Sequence, residues 1–324
     1  MTGSEGRPAG PGTARIAVDL LGGDDAPAVV VDGALQACRA DPDLQLLLVG
    51  PRPAADEVFG ALPAPDRARV DVLVVDRGVG MSDAAHDGAD PTTTIGAAVA
   101  ALAERRVGAF VSAGASGAIV AAAVVALGRV HRVRRPALTA VLPAANGPLV
   151  LLDVGAGMQV SAIDLVQHAA LGAGYARLAV GVEHPRIGLL SVGSEPGKGD
   201  RLRRATDAAL RVQSPAIGTY VGPVEGHDVV TGGRADVVVT DGFTGNVLLK
   251  GIEAVVAASS AAYPPIAVLR AAVLLGVAGT VVVCHGAARG ADVASGIALA
   301  ARLVRDDVVA RLSVPNPVPT QVAS

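Results

Sequence analysis

The sequence predicts an α/β fold in which a parallel sheet is covered by helices, and three observations predict it. Apolar runs such as Val237-Val238-Val239 lack polar alternation, which marks strands buried on both faces, as in parallel sheets. Those runs alternate with Ala- and Leu-rich stretches of helical length. The 324 residues are 51% hydrophobic but only 2% aromatic, with 40 glycines and no Trp. The core must therefore be built from Ala, Val, Leu and Ile, with helices lying close on the sheet.

The elements follow in order. Met1 to Ala14 is a Gly/Pro tail without periodicity, and 313–324 is its counterpart. Between them lies one α/β domain, 15–312, read as two lobes sharing a sheet because no low-complexity linker divides the middle. Aliphatic and β-branched runs give strands at Ile16–Asp19, Leu44–Val49 and Val70–Val75, with a helix over Pro27–Ala40 after the first. A helix over Thr93–Arg106 leads to a strand at Ala109–Ser112, and strands at Leu138–Leu142 and Leu149–Asp153 lead to a helix over Ser161–Leu178. Ile187–Val192 is a strand, Asp200–Val212 a helix, and Gly218–Gly222 and Val237–Thr240 are strands. A helix over Gly245–Ser259, a strand at Thr280–Cys284 and a helix over Asp292–Leu312 complete the pattern.

Charge and cysteine content exclude several classes. A net charge of -3, a pI near 6.1 and the lack of an aromatic platform argue against a nucleic-acid surface. Cys38 and Cys284 make neither a disulfide framework nor a CxxC metal site, and the first residues lack the order of a signal peptide, so a cytoplasmic location is expected. Val107 to Gly128 is uncharged and long enough to span a bilayer. A strand at Ala109–Ser112, a glycine turn and a helix over Ser116–Leu127 nevertheless account for every residue, so no span is expected.

In open α/β sheets, ligands gather beyond the carboxyl ends of the strands. Six loops there are rich in glycine and small polar residues: 19–27, 112–118, 153–157, 193–199, 241–246 and 285–286. Their common position predicts one cleft lined by backbone N–H groups, small hydroxyls and a single lysine, Lys198. In the run from Arg234 to Lys250, Asp241 and Thr244 are suited to bonding the turn backbone, Gly242 and Gly245 to positive φ or close ligand approach, and Asn246 to opening a helix. Turn and cap chemistry alone is the competing explanation.

Familiar motifs fail on spacing. Gly193 to Gly199 is one residue short of a Walker A loop, and Gly199 stands where the Mg²⁺-binding hydroxyl belongs. Val160 breaks the dinucleotide fingerprint after Gly155-Ala156-Gly157. Ser116 lacks the flanking glycine of a nucleophile elbow, which leaves a helix cap as its default role. Asp83, His86, Asp87 and Asp90 have no defined ligand spacing and read as a solvated loop, so no metal site is expected.

Taken together and in order, DLLGGDDAP (19–27), SAGASGA (112–118), RPALTAVLP (135–143), DVGAG (153–157), GLLSVGSEPGKG (188–199), VEGHD (224–228), VVVTDGFTGNV (237–247) and His285-Gly286 resemble the PlsX-type acyl-acyl-carrier-protein:phosphate acyltransferases of bacterial phospholipid synthesis. The likeness runs from Ile16 to about Leu312. It implies a three-layer α/β/α, doubly wound, mostly parallel sheet similar to isocitrate and isopropylmalate dehydrogenases. It also implies a homodimer without cofactor that moves a fatty acyl group from acyl carrier protein to inorganic phosphate, with at most weak peripheral membrane contact.

Phosphate is itself the nucleophile, so such a site needs no covalent relay. It must hold a dianion against a thioester and stabilise an oxyanion. The resemblance marks Lys198 and Asn246 as catalytic. Lys198 supplies charge beside the helix opening at Gly199-Asp200, and Asn246 an amide N–H; a solvated lysine and a helix cap are their rival roles. Ser112, Gly114, Ser116 and Gly117 are assigned to phosphate oxygens, and Asp19, Gly22, Gly23 and Asp24 to the opposite wall. Asp19 and Asp24 would repel phosphate and are expected to bond loop N–H groups instead. Asp153, Gly155, Asp241, Gly242, Thr244 and Gly245 complete the substrate-binding set, and His285 is assigned a proton or a hydrogen bond.

The chain departs from the family in three places. Ala115 and Gly157 stand where asparagines are expected, Asp90 to Ile95 replaces a basic run, and the stretch from Val247 to His285 is about thirty residues short of the family's helical hairpin, with Pro264-Pro265 in the abbreviated connection. Two alternatives to the family reaction follow. One is carrier-dependent acyl transfer with an altered donor or acceptor in a specialised pathway, and the other is a non-catalytic acyl or carrier-protein binder.

Overall fold

The computed structural model describes residues 12–195, 197–213, 215–259 and 271–312, with side chains described outside 257–259. The two tails, apart from Gly12 to Ala14, and the Pro264-Pro265 connection lie outside this range. The chain forms two compact units, Met1–Gly128 with Val277–Val309, and Arg129–Gly276 with Ala310–Ser324.

The first unit carries β1 (Ala14–Asp19), β2 (Leu44–Gly50), β3 (Val70–Val74), β4 (Ala109–Ser112) and β11 (Thr280–Cys284), all parallel in the order β3-β2-β1-β4-β11. Helices α1 (Ala28–Ala40) and α10 (Gly290–Arg305) pack on each other, and α4 (Thr94–Ala103) packs on α5 (Ser116–Ala126). Both α10 and α4 cover β1 and β4, so this sheet is sandwiched between helices. All five residues of β11 are buried. Each buried valine contributes roughly 1.5–3 kcal/mol, which is how a core nearly free of aromatics holds together. The segment 107–128 is a strand, a turn and a helix, as expected, and among the described residues no helix is long and apolar enough to cross a membrane.

The second unit has the order β10-β5-β6-β9-β7-β8, from β5 (Ala137–Ala144), β6 (Gly147–Leu152), β7 (Arg186–Leu190), β8 (Thr219–Val224), β9 (Val237–Val239) and β10 (Ala271–Leu275). β5 runs antiparallel to both of its neighbours here, and β6, β9, β7 and β8 are parallel. Helices α6 (Ala162–Tyr175) and α7 (Arg201–Val212) pack together on these strands, α8 (Gly226–Thr231) lies on β5, and α9 (Gly242–Ser259) on β6.

Some elements differ from the sequence reading. β10, α2 (Arg52–Ala61), the short α3 (Ala64–Arg67) and α8 are additional. The last predicted helix divides into α10 and α11 (Val308–Leu312), because Asp307 takes a positive φ of 51° and ends the first. Helix α9 begins at Gly242 rather than Gly245, so Asn246 lies a turn inside it instead of opening it.

Candidate active site

The sequence-predicted residues form two clusters, one in each unit. In the first unit, Asp19 ends β1 and Ser112 ends β4. The Ser112 hydroxyl donates to Asp19 Oδ2 at 2.7 Å and accepts the Gly114 N–H at 2.9 Å, while Leu21 N–H donates to Asp19 Oδ1 at 3.0 Å. Asp19 is buried, and burial pushes its carboxyl upward against these bonds. The Ser112 proton and the Gly114 amide are thus committed within the protein. Asp24 is exposed, with its backbone N–H on Gly286 O at 2.9 Å, and half-buried His285 accepts the Ala287 N–H at Nδ1. Ser116 and Gly117 form the first residues of α5, whose cap position is Ala115, so Ser116 is not the cap expected of it. The residues from Asp83 to Asp90 pair locally, Asp83 with Gly80 N–H and Asp90 with Arg77, and no metal-holding group is found among the described residues.

Gly22 closes this cluster. A Cβ there would lie 2.6 Å from Ser112 Oγ, 2.7 Å from Asp19 Oδ2 and 2.8 Å from Gly114 N. Gly22→Ala is therefore expected to destabilise the protein by about 1–3 kcal/mol, read as a lower urea midpoint.

In the second unit, Asp153 follows β6 and is fully buried. Its carboxylate accepts four backbone N–H groups, from Leu138, Gly155, Ala156 and Gly157, at 2.6–3.0 Å. Burial pushes its pKa up, while the nearby His168 and the amides oppose that. His168 is itself wholly buried, with Nε2 3.2 Å from Arg135 O, and burial lowers its pKa and favours the neutral ring. The amides of the 153–157 loop therefore turn inward to a carboxylate rather than outward to a ligand.

Helix α9 docks on that loop through its glycines. Gly242 N–H donates to Gly157 O at 2.9 Å, and a Cβ on Gly245 would fall 1.9 Å from Asp153 O, closer than any side chain permits. Half-buried Asn246 donates from Nδ2 to Val154 O at 3.0 Å, which fixes its amide. At Gly157, where a Cβ would approach Val160 Cγ1 at 3.0 Å, the packing is built around glycine.

Asp241 precedes α9 and accepts the Thr244 N–H at 2.9 Å and the Thr244 hydroxyl at 2.8 Å, the turn bonding its sequence suggested. Its main partner is Arg203, which sequence reasoning missed. From α7, Arg203 reaches Asp241, Thr240 Oγ1, Thr244 Oγ1, Asp200 and Leu190 O. Its side chain is only 12% exposed. The one local signal was a carboxylate ending a buried strand, which needs a counter-charge.

Lys198 sits in the 193–199 loop just before α7. Gly199 takes a φ of 89°, a left-handed turn open to glycine, and α7 is capped by Asp200, whose Oδ1 accepts the Arg203 N–H at 2.7 Å. Lys198 is exposed, and its side chain has no hydrogen bond or ion pair among the described residues. A cavity of about 480 Å³ separates the two elements, lined by Gly199, Asp200 and Arg203 on one side and by Phe243, Thr244, Val247 and Leu248 on the other. It brings the Lys198 loop and the first turns of α9 to a common opening.

Comparison with known proteins identifies the family and the fold. A family profile described as "Fatty acid synthesis protein" matches residues 14–262. The phosphate acyltransferase of Thermobifida fusca (strain YX) is 38% identical over 330 residues, covering 92% of this chain and 89% of the relative. That of Heliobacterium modesticaldum is 33% identical over 327 residues, covering 92% and 96%. Among solved structures, a phosphotransacetylase from Streptococcus pyogenes superposes with a TM-score of 0.60 at 16% identity, covering 92% and 94% of the two chains. The EutD phosphotransacetylase from Staphylococcus aureus gives 0.59 at 12%, covering 91% and 95%. At such identities the structures speak to the α/β fold, whereas the sequence relatives speak to descent. The chain belongs to the fatty acid synthesis protein family, alongside relatives that are phosphate acyltransferases.

Proposed function

We propose that this protein transfers a fatty acyl group from an acyl-carrier-protein thioester to inorganic phosphate, for phospholipid synthesis. A phosphate oxygen attacks the thioester carbonyl, the C–S bond breaks, and the carrier thiol and an acyl phosphate leave. The observation that carries this reading is a cavity lined by Gly199 and Asp200, which follow Lys198 in the chain, and by Thr244 and Val247, which stand on either side of Asn246 in α9. Lys198 holds the dianion beside the N-terminus of α7. Asn246, with one N–H fixed on Val154 O, offers its second to the developing oxyanion. No general base is required: the phosphate dianion attacks through an ionised oxygen, the thiolate leaves with the C–S electron pair, and it takes up through solvent the proton that the more acidic acyl phosphate sheds.

The test combines purified protein, acyl carrier protein charged with a fatty acyl group, and phosphate. Phosphate-dependent release of carrier thiol, with an acyl phosphate trapped by hydroxylamine, is the expected result. Thiol release without phosphate dependence would instead support an altered acceptor, and absence of both products with several chain lengths would remove the proposal.

A basic loop supports the carrier protein as donor. Arg129, His131, Arg132, Arg134 and Arg135 are all exposed within seven residues leading into β5. Their backbone is pinned from beneath: Gln167 Nε2 donates to Arg132 O at 2.8 Å, Gln167 Oε1 accepts the Arg134 N–H at 2.9 Å, and both Gln167 and His168 are fully buried. The carboxylate nearest Arg134 and Arg135 is the buried Asp164, at 3.7 and 3.9 Å. This positive edge suits an acidic carrier surface. Reversing Arg129 and Arg132 to Glu is expected to raise KM for the carrier-borne donor by about tenfold relative to a carrier-free acyl thioester, and to flatten its salt dependence. Equal changes with both donors would count against it.

A further inference from the structure

The cavity beside Lys198 has an asymmetry the reaction does not use. Leu190, Val192, Phe243, Val247 and Leu248 make its apolar wall, and at its rim Val192 is 84% exposed, Phe243 64% and Val247 59%. Lone exposed apolar residues are ordinary, but several around one opening mark a binding surface. The polar side chains of the wall are almost all engaged. Asp200 bonds Arg203, Arg203 meets five acceptors, and Thr244 Oγ1 lies between Asp241 and Arg203. Ser191 Oγ alone is buried with no hydrogen-bond partner.

We infer that this cavity receives the hydrocarbon tail of the acyl group and that Val192, Val247 and Leu248 set which chain lengths the enzyme accepts; the inference rests on the proposed function for the identity of the substrate. A pantetheine arm carries two amides and a hydroxyl that would need several partners, whereas the only buried side-chain polar atom of the wall left without one is Ser191 Oγ. A hydrocarbon chain needs none, and gains about 0.8 kcal/mol for each methylene buried. A volume of about 480 Å³ is that of a small-molecule site. The walls include Gly199 and Asp200, next to Lys198 in the chain, and Thr244 and Val247 of α9, the helix that bears Asn246, so a chain lodged here lies beside both segments assigned to the reaction.

Val247→Trp on α9 and, from a different element, Val192→Trp test this, since both residues are exposed and neither substitution disturbs the core. The ratio of kcat/KM for palmitoyl over butyryl carrier protein is expected to fall about tenfold in each variant. Binding of a fluorescent long-chain fatty acid to the full chain, measured without phosphate or carrier, should weaken by a similar factor. A parallel loss at both chain lengths, or fatty-acid binding unaffected by either tryptophan, overturns the inference. A change in oligomeric state without a change in the chain-length ratio does so too, by assigning the rim to a second copy. If neither donor yields acyl phosphate but fatty-acid binding remains tryptophan-sensitive, the reaction is wrong and the cavity assignment stands.

Discussion

Lys198→Ala is expected to lower kcat for acyl transfer to phosphate by about 10²–10³, the scale on which removal of one preorganised electrostatic group acts. Asn246→Ala should cost roughly the same, about 3 kcal/mol of barrier, through the oxyanion. The two differ in how the loss divides. In the proposed reaction Lys198 meets phosphate before and during the chemical step, so its variant should also raise KM for phosphate; the Asn246 variant should lower kcat with KM for phosphate nearly unchanged. Neither is expected to unfold the protein. Lys198 is exposed, with no side-chain partner among the described residues, and Asn246 gives up one hydrogen bond to Val154 O. Steady-state kinetics at varied phosphate, with circular dichroism as the folding control, make the comparison. Activity retained to within twofold in the Lys198 variant would show that this lysine is only a solvated surface group.

Arg203→Ala is expected to produce the largest loss of stability of any substitution discussed, about 3–5 kcal/mol, because it leaves Asp241 buried without its counter-charge. The urea midpoint should fall with little change in slope. Arg203→Ala combined with Asp241→Asn should recover part of the loss, since the stranded charge is then gone. Acid unfolding supplies an independent check. Burial raises the Asp241 carboxyl, but bonds from Thr244 and Arg203 outweigh it and hold it below the ordinary 3.8. A group depressed in this way contributes stability above pH 3.8 and loses it as pH falls through its folded value. The wild type should show this acid-side loss, and Arg203→Ala should show less of it.

Much of this fold could be read from the chain, because its strands are written in an unambiguous way. Val237–Val239 and Thr280–Cys284 are valine runs bounded by polar turns, and both are wholly buried strands. Ala271–Leu275 was missed because a short apolar run of Ala, Val and Leu fits both a buried strand and a buried helix. Helix α2 was missed because it buries only Ala54, Ala55 and Val58, too narrow a stripe to show a period. The start of α9 was misplaced for a more instructive reason. Gly242 reads as a loop residue and Gly245 as the first of the helix, yet both are helical glycines required by contact with the 153–157 loop. Arg203 was invisible because its five partners come from three separate stretches of sequence, and no window along the chain contains them together.

That arginine also links the two halves of the proposed chemistry. It bonds Asp200, two residues after Lys198, and it bonds Asp241 and Thr244, the latter two residues before Asn246. The segments bearing the cation and the amide donor are therefore braced as one rigid part once the chain has folded. An arginine that holds these segments together in the folded chain would lower the reorganisation needed when the thioester arrives. Thermal motion that loosens Arg203 would then slow the enzyme well before it melts, so loss of turnover on warming should precede loss of helix signal.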